Sequence, residues 1–331
     1  MKTIGIIGDG GWGTALALNL IANGHRVTAW GPFPDYIEQL RRTRENALYL
    51  PGVPLPAELT WTADRARVVE GAEVLVLAVP TKFSRAVMTS FAGLVPKSCA
   101  VVSVAKGLDP ESRRRMTEVA GSVLRCGPVA ALSGPSHAEE VSRGVPTAVV
   151  IASPDPGQAR ILQAVFMNGR FRVYTSDDVA GVELGGALKN VIAIAVGASD
   201  GIGFGDNTKA ALMTRGLAEM SRLGCALGAR ASTFAGLSGM GDLIVTCTSR
   251  FSRNRAVGER LGRGEKIADI LGSMKQVAEG VGNCAVARQV AGELGIDVPI
   301  TSEVYAVLHE GRAPREAVSS LMTRSAKAEG I

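Results

Sequence analysis

The chain has 331 residues, of which 46% are hydrophobic and 20% charged, a composition typical of a soluble globular protein with about two domains. Its basic residues are dispersed and only 5% of its residues are aromatic, so the net charge of +5 does not indicate nucleic-acid binding. Five scattered cysteines form no C-x-x-C motif, which argues against a disulfide framework and fits a reducing, cytoplasmic compartment.

A strand, a tight turn and a helix are predicted at the start of the chain. Thr3 to Ile7 is a short apolar run suited to a buried parallel strand, and it follows Met1-Lys2 so closely that no removable signal is visible. The helix that follows is predicted to end at Asn23-Gly24. The longest stretch without a formal charge, Gly10 to His25, is too short to span a bilayer, so we expect no stable membrane insertion.

The turn between this strand and this helix has the pattern G-x-G-x-x-G. In a dinucleotide site Gly8 permits the tight turn, Gly10 lets the backbone approach the pyrophosphate, and Gly13 lets the helix pack closely on the strand. The phosphates then lie at the positive N-terminus of the helix. Because the chain has 40 glycines, a purely structural turn is the alternative, but the position between a strand and a helix favours the cofactor site.

Apolar runs alternate with helix-compatible stretches through the first half of the chain. The further runs are Val27–Trp30, Val74–Val79, Ala100–Val104, Val129–Leu132, Thr147–Ala152 and Phe171–Tyr174. This alternation predicts an α/β fold, with a Rossmann-like doubly wound parallel sheet over residues 1–185. An all-helical domain is predicted over residues 186–331, from long helical stretches at Val182–Ala198, Thr208–Leu227 and Ser232–Leu243.

Two lysines are candidates for chemistry. Lys106 follows a predicted strand, where ligands bind in open α/β sheets, although an exposed loop lysine fits the position equally well. Lys189 lies on an apolar helix one turn after Gly185-Gly186, and a glycine pair within a helix indicates a close approach by another element. Burial there would lower the pKa of Lys189 toward neutrality, as proton transfer requires. A lysine that reaches the surface is the alternative.

The segment GLSGMGDLIVTCTSRFSRNRAVGERL concentrates polar side chains. Asp242 follows a glycine-rich turn, Thr246 lies one helical turn later, and Ser252-Arg253-Asn254 offers adjacent donors suited to a phosphate. A polar loop with an N-capping serine is the alternative. The sequence has neither ligand spacing for a metal nor the G-x-S-x-G motif of serine hydrolases. With the dinucleotide site, these residues indicate hydride transfer to the carbonyl of a small phosphorylated substrate.

Several motifs resemble those of bacterial NAD(P)-dependent glycerol-3-phosphate dehydrogenases. In chain order, and over nearly the whole sequence, they are GDGGWGTALA, AKGL, SGPSHAEEV, GGALKNVIAIAVGASDGIGFGDN, TRGLAEMSRLG, GLSGMGDLIVTCTSRFSRNR and VAEG. The resemblance implies reversible hydride transfer between NAD(P)H and dihydroxyacetone phosphate, giving sn-glycerol 3-phosphate for glycerophospholipid synthesis. It also implies a cytoplasmic homodimer.

The same resemblance implies roles for individual residues. Lys189 would be the catalytic proton acceptor in glycerol 3-phosphate oxidation and the donor in ketone reduction. The substrate would contact Lys106, Gly134, Ser136, Lys189, Asp242, Ser252, Arg253 and Asn254. The cofactor would contact Gly8, Gly10, Gly11, Trp12, Gly13, Pro32, Lys106, Ala138, Arg253, Val277 and Glu279.

Two positions depart from the family pattern. Gly11 stands where the family commonly has serine, which removes a hydroxyl but keeps the N–H. Pro32 stands where many members have a basic residue for the 2′-phosphate of NADPH, and no acid for a free ribose diol is present there either. The nearest basic residues are Arg41 and Arg42. The family therefore implies NADPH as the preferred cofactor, with NADH also accepted.

Two other functions fit parts of the sequence. A related two-domain NADP-dependent β-hydroxyacid dehydrogenase would also place a Lys-Asn pair on the first helix of its second domain, but the match over Gly241–Asn254 is specific to the glycerol-phosphate family. A cofactor-sensing protein without catalysis would have no need for Lys106, Lys189 and Asp242 together.

Overall fold

The computed structural model describes residues 1–326, Ala328 and Glu329, and the chain divides into two compact units. The first consists of Met1–Ala105 and Arg114–Val179, and the second of Lys106–Arg113 and the chain from Ala180 onward. Residues 106–113 group with the second unit because Leu108 belongs to its hydrophobic core. The sequence-based boundary between residues 185 and 186 falls inside the first long helix of the second unit, which begins at residue 179.

An eight-stranded sheet forms the centre of the first unit. Its strands are β1 (Thr3–Ile7), β2 (Arg26–Trp30), β3 (Thr60–Thr62), β4 (Val74–Leu77), β5 (Ala100–Ser103), β6 (Val129–Ser133), β7 (Thr147–Ala152) and β8 (Phe171–Ser176). Their order is β3-β2-β1-β4-β5-β6-β7-β8. Because the strand order reverses at β1, the carboxyl end of β1 is a topological switch point, where open α/β sheets bind their ligands.

The predicted doubly wound sheet is confirmed, with two differences. The pair β6–β7 is antiparallel, with Leu132 opposite Ile151, whereas a fully parallel sheet was predicted. An apolar run shows that a strand is buried but not which way it points. The short strand β3 was not predicted at all, since three residues carry too little periodicity to be recognised.

Helices cover both faces of this sheet. They are α1 (Gly11–Ala22), α2 (Pro34–Thr43), α3 (Arg65–Val69), α4 (Thr81–Ser90), α5 (Met116–Leu124), α6 (Ala138–Val141) and α7 (Pro156–Phe166). Successive strand residues point to opposite faces, so Ile6 and Ile7 on β1 belong to two separate hydrophobic clusters. Helix α1 ends at Asn23, and Gly24 follows with φ of +77°, as the sequence predicts.

All named secondary-structure elements in the described part of the second unit are helices, which confirms that prediction. Its helices are α8 (Val179–Ile202), α9 (Asp206–Ala226), α10 (Ala231–Phe234), α11 (Asp242–Thr248), α12 (Arg253–Gly262), α13 (Ile267–Ser273), α14 (Glu279–Leu294), α15 (Pro299–His309) and α16 (Pro314–Met322).

The prediction of one continuous helix over Ser232–Leu243 is wrong. Helix α10 ends at Phe234, a π-helical turn spans Leu237–Gly241, and α11 begins only at Asp242. Glycine allows this compact arrangement, because a Cβ on Gly239 would lie 2.2 Å from the carbonyl oxygen of Phe234. The interruption therefore fixes where α11 starts.

Helix α8 is the core of the second unit. Its length and composition would allow it to cross a membrane, but 83% of its most apolar 18-residue window is buried inside the protein. Because Glu183 and Lys189 interrupt α8, it contains no uncharged stretch as long as Gly10 to His25. The burial is that of a core helix, and every residue from Gly181 to Ile194 is buried.

A reciprocal glycine contact joins α8 to α12. A Cβ on Gly197 of α8 would lie 2.0 Å from the carbonyl oxygen of Arg255, and one on Gly258 of α12 would lie 2.0 Å from that of Ile194. The same relation recurs one turn later at Gly201 and Gly262, whose added Cβ atoms would lie 2.1 and 2.3 Å from backbone oxygens. Each helix therefore presents a small-xxx-small stripe, and the two backbones touch directly.

This contact predicts a strong stability effect. Gly258→Ala should lower the free energy of unfolding by about 1–3 kcal/mol, because the methyl group must push two helix backbones apart. Gly292→Ala is the matched control: no atom lies within 4 Å of an added Cβ, so the higher helix propensity of alanine should stabilise α14 by up to about 1 kcal/mol. Urea unfolding of both variants measures the difference, and equal effects would show that the close contact does not matter.

Candidate active site

The turn between β1 and α1 has the backbone that the glycine pattern predicts. Gly8 has φ of +128°, and a Cβ there would lie 2.4 Å from the carbonyl oxygen of Ala78, the residue that follows β4. A Cβ on Gly13 would lie 2.7 Å from the carbonyl oxygen of Gly8, so this glycine lets α1 pack closely on the turn. At Gly10 nothing lies within 4 Å of an added Cβ. The turn is thus packed on its inner side and open where a ligand would approach.

The first turn of α1 has further features of an anion site. No side chain caps this helix and no acidic residue lies in its first turn, so its N-terminal N–H groups remain available. The indole N–H of Trp12 is buried and has no hydrogen-bond partner among the described residues. An orphaned donor beside a helix N-terminus fits a phosphate group. These residues therefore fit the pyrophosphate of a dinucleotide.

The structure gives a reason for the departure at Gly11. A Cβ there would lie 2.6 Å from the carbonyl oxygen of Tyr49 and 3.7 Å from the Cβ of Ala138. A serine would collide with the backbone at Tyr49, so glycine is required by the packing of this loop. The same distances place Ala138 beside the turn.

The other predicted residues of the first unit lie after β2 and β6. Pro32 is exposed two residues beyond the end of β2. Gly134 follows β6 with φ of +134°, and a Cβ there would lie 3.0 Å from Cα of Val149. Ser136 donates a hydrogen bond from Oγ to the carbonyl oxygen of Gly134 at 2.8 Å. This turn is therefore tightly held.

A buried charge cluster lies in the second unit. Nζ of Lys189 is 2.5 Å from Oδ1 of Asp242, and Nζ of Lys106 is 2.9 Å from Oδ2 of the same carboxylate. Lys189 also donates to Oγ1 of Thr246 at 2.6 Å, and Thr246 donates to the carbonyl oxygen of Asp242 at 2.6 Å. Asp242 is 1% exposed and Lys189 is 4% exposed. The two lysines that the sequence singled out thus share one carboxylate.

Burial sets the protonation of this cluster. Removal of its ammonium group from water lowers the pKa of Lys189 to about 7, and the charge of Lys106 acts in the same direction. The carboxylate of Asp242 opposes this shift without cancelling it. With both lysines protonated the cluster has one more positive than negative charge, so it attracts an anion. A lysine with a pKa near 7 can both donate and accept a proton at neutral pH.

The close approach predicted at Gly185-Gly186 is present. A Cβ on Gly185 would lie 2.5 Å from the carbonyl oxygen of Ser238, which belongs to the π-helical turn before α11. The missing side chain lets this turn pack on α8 one helical turn before Lys189. The contact brings the start of α11, and therefore Asp242, to Lys189.

A network of asparagine side chains surrounds the cluster. Asn190 donates to the carbonyl oxygens of Lys106 and Gly186 at 3.2 Å each, and Asn254 donates to Oδ1 of Asn190 at 2.9 Å. Asn254 in turn accepts from the backbone N–H of Gly280 at 2.9 Å. These bonds join α8, α12 and α14 around the segment that carries Lys106. The amide of Asn254 is therefore committed to the protein interior.

Asn283 belongs to this network and was missed by the sequence reasoning. Its Nδ2 donates to the carbonyl oxygens of Lys106 at 2.9 Å and Ala187 at 3.1 Å, and its Oδ1 accepts from the N–H of Leu108 at 3.3 Å. The sequence feature that could have identified Asn283 is a polar amide between small and apolar neighbours, four residues after Glu279 in the same helix. It holds residues 106–108 in place.

The predicted donor row Ser252-Arg253-Asn254 divides into different roles. Ser252 is the N-cap of α12, and its Oγ accepts from the N–H of Arg255 at 3.2 Å, as the alternative interpretation proposed. Arg253 is exposed at the first position of α12 and donates from Nη1 to the carbonyl oxygen of Val277 at 3.0 Å. Glu279 begins α14. Of the three donors, Arg253 thus presents its charge toward solvent.

No group of three or more His, Cys, Asp and Glu side chains in residues 1–326, 328 and 329 could hold a metal ion. In the second unit, Lys189 has a lowered pKa near neutrality, and Lys106 and Arg253 are the basic side chains that the sequence analysis also selected. The first unit offers a dinucleotide turn. This combination is what a dehydrogenase requires.

The chain matches two models of one protein family. The model for the N-terminus of NAD-dependent glycerol-3-phosphate dehydrogenase matches residues 3–159, and the model for its C-terminus matches residues 178–319. Among curated relatives, the glycerol-3-phosphate dehydrogenase of Geobacillus kaustophilus is 50% identical over 99% of this chain and 96% of the relative. That of Geobacter sulfurreducens is 50% identical over 99% of each chain.

A solved structure shows the same fold. The crystal structure of glycerol-3-phosphate dehydrogenase from Coxiella burnetii is 38% identical to this chain, with a TM-score of 0.94 over 98% of this chain and 99% of the other. Because family models match both parts of the sequence and full-length relatives share half of its residues, the chain belongs to the NAD-dependent glycerol-3-phosphate dehydrogenase family.

Proposed function

We propose that this chain catalyses reversible hydride transfer between NAD(P)H and dihydroxyacetone phosphate, giving sn-glycerol 3-phosphate. The observation that carries the proposal is the buried cluster in which Asp242 pairs with both Lys106 and Lys189. The curated relatives, named as NAD(P)+-dependent glycerol-3-phosphate dehydrogenases, support this function over the β-hydroxyacid alternative.

Lys189 transfers the proton. In ketone reduction its ammonium group donates a proton to the substrate oxygen as negative charge develops there, and in alcohol oxidation the neutral amine accepts it. Asp242 and Thr246 hold Nζ in place through two short hydrogen bonds, and the depressed pKa makes both protonation states accessible at neutral pH. When bound, the nicotinamide supplies or takes up the hydride.

The substrate phosphate is bound by positive groups near this cluster. Arg253 offers a planar fork of N–H donors at the N-terminus of α12, a position that itself favours an anion. Lys106 adds a second charge. The family resemblance also assigns Gly134 and Ser136 of the first unit to the substrate. Asp242, Ser252 and Asn254 support it through the contacts described above, so that they position rather than bind the phosphate.

The dinucleotide is held by the turn of Gly8, Gly10, Gly11, Trp12 and Gly13, with Ala138 beside it. The open surface at Gly10 and the orphaned indole N–H of Trp12 support this assignment. The family resemblance also assigns Pro32 of the first unit, and Lys106, Arg253, Val277 and Glu279 of the second, to the cofactor. Both NADH and NADPH are substrates in this proposal.

We further propose a cytoplasmic homodimer that supplies glycerol 3-phosphate for glycerophospholipid synthesis, with no nucleic-acid partner and no membrane insertion. The family resemblance supports the dimer, and the five free cysteines support a reducing compartment. Light scattering coupled to size-exclusion chromatography tests the dimer: a mass near twice that of the 34.4 kDa chain is expected.

Removal of the Lys189 ammonium should abolish most of the catalysis. Lys189→Met keeps the apolar stem but cannot transfer a proton, so kcat should fall by about 10²–10⁴-fold while cofactor affinity is retained. The control Lys209→Met removes another ion-paired lysine of the second unit, 3.0 Å from Asp200, and should leave kcat nearly unchanged. Steady-state kinetics measures both. Retention of more than about a tenth of kcat in Lys189→Met would contradict the assignment.

The two reaction directions should respond oppositely to pH. Oxidation needs the neutral amine, so its kcat should rise as pH increases through about 7, whereas reduction needs the ammonium and should slow over the same interval. The measurement is kcat at saturating substrate in both directions from about pH 5.5 to about 9. The substrate phosphate also titrates near neutral pH, so the residual activity of Lys189→Met is the control and should lack these opposite slopes. Slopes of the same sign would exclude Lys189.

Arg253 should distinguish phosphorylated from unphosphorylated ketones. Arg253→Ala should reduce kcat/KM for dihydroxyacetone phosphate by about 10- to 150-fold, the contribution of one charge-assisted hydrogen bond, and affect dihydroxyacetone far less. Arg263→Ala, at the other end of the same helix, removes an equal charge and should preserve the ratio of the two values. An unchanged ratio in Arg253→Ala would show that Arg253 does not bind the phosphate.

A further inference from the structure

The carboxylate of Asp9 occupies an unusual place in the dinucleotide turn. Asp9 stands between Gly8 and Gly10, and its Oδ2 lies 2.5 Å from the position that a Cβ on Gly31 would occupy. Gly31 directly follows β2. In dinucleotide-binding sheets an acidic residue at the end of this strand binds the ribose 2′-hydroxyl. Here the strand carries glycine, and a carboxylate from the adjacent turn lies against it.

The position of Asp9 is fixed by its neighbours. Gly8 donates its N–H to the carbonyl oxygen of Trp30 at 2.9 Å, which ties the turn to the end of β2. The fully buried Asn46 donates to the carbonyl oxygen of Asp9 at 2.8 Å and is itself held by the hydroxyl of Tyr36 at 2.6 Å. The carboxylate is therefore not a mobile group on an open loop.

Oδ2 of Asp9 is buried and has no hydrogen-bond partner among the described residues. Burial raises the pKa of this carboxyl. Burial also raises the pKa of Tyr36 to about 12 and that of Tyr49 above its usual value, and the negative charge of Asp9 adds to both shifts. A buried, unpaired acceptor is costly, and a ligand that donates an O–H to it would remove that cost.

Neither Pro32 nor Arg41 supplies a site for a 2′-phosphate. Pro32 has neither a charge nor a backbone N–H to donate. Arg41 donates from Nε and Nη2 to the carbonyl oxygen of Trp61 at 3.0 and 2.7 Å, and its Nη1 is 3.2 Å from Glu38. The guanidinium of Arg41 is thus committed to the edge of the sheet.

We propose that Asp9 determines the cofactor specificity of this chain: its carboxylate accepts a hydrogen bond from the ribose 2′-hydroxyl of NADH and repels the 2′-phosphate of NADPH. The inference rests on the proposed dehydrogenase function and deepens it by selecting between the two nucleotides. It reverses the NADPH preference that the family resemblance implies. Gly31 is required for this placement of the Asp9 carboxylate, since any side chain at position 31 would displace it.

Direct binding tests the proposal without reliance on turnover. Calorimetric titration of the full chain should show NADH binding at least about tenfold more tightly than NADPH, which is the effect of one charge-assisted hydrogen bond. Asp9→Ser should weaken NADH binding, strengthen NADPH binding and bring the two affinities within about threefold of each other. Glu58→Gln is the control, since it removes the same charge from an exposed loop of the first unit and should leave the ratio unchanged.

The fragments ADP and 2′,5′-ADP provide a second comparison on the wild-type chain, which remains decisive if Asp9→Ser fails to fold. ADP should bind at least about tenfold more tightly. Equal or tighter binding of the 2′-phosphorylated fragment or of NADPH would overturn the proposal, as would a ratio that Asp9→Ser leaves unchanged. If neither NADH nor NADPH bound, the dehydrogenase function itself would fail. A chain that prefers NADPH but reduces dihydroxyacetone phosphate would refute only the role of Asp9.

Discussion

The second unit is organised around one carboxylate. Asp242 is almost fully buried and pairs with two ammonium groups, one from α8 and one from the segment that follows β5. A buried lysine without such a partner would be an uncompensated charge, and loss of one member of a buried ion pair typically costs about 3–5 kcal/mol. The same carboxylate therefore makes the burial of Lys189 tolerable and orients its Nζ. The excess positive charge that remains is what a dianionic substrate can neutralise.

This charge cluster depends on very close helix packing. The contact of Gly258 with the backbone of Ile194 lies one turn beyond the bonded pair Asn190 and Asn254, so backbone contact sets the distance that the amides span. The amide groups of Asn190 and Asn283 both donate to the backbone carbonyl of Lys106, in the segment that carries the second ammonium group. The absence of side chains at Gly258 and Gly197 is therefore as important to the site as the presence of charged groups.

Much of this arrangement could be predicted because it is encoded locally. The glycine pattern at Gly8 and the helix end at Gly24 follow from positive φ angles that few residues other than glycine adopt. The position of Lys189 within an apolar helix indicated its burial. Long-range pairings could not be derived in this way. The antiparallel direction of β7 and the bonds of Asn283 to residues far apart in the chain depend on tertiary packing, which leaves no periodic signal.

The short excursion of Lys106–Arg113 into the second unit gives the chain an interleaved topology. No single cut separates the two units: a fragment ending after β5 lacks β6, β7 and β8, while a fragment beginning at α8 lacks Lys106 and Leu108. During synthesis, the segment that carries Lys106 leaves the ribosome before the helices that pack around it. The ion pair between Lys106 and Asp242 can therefore form only after α11 has been synthesised.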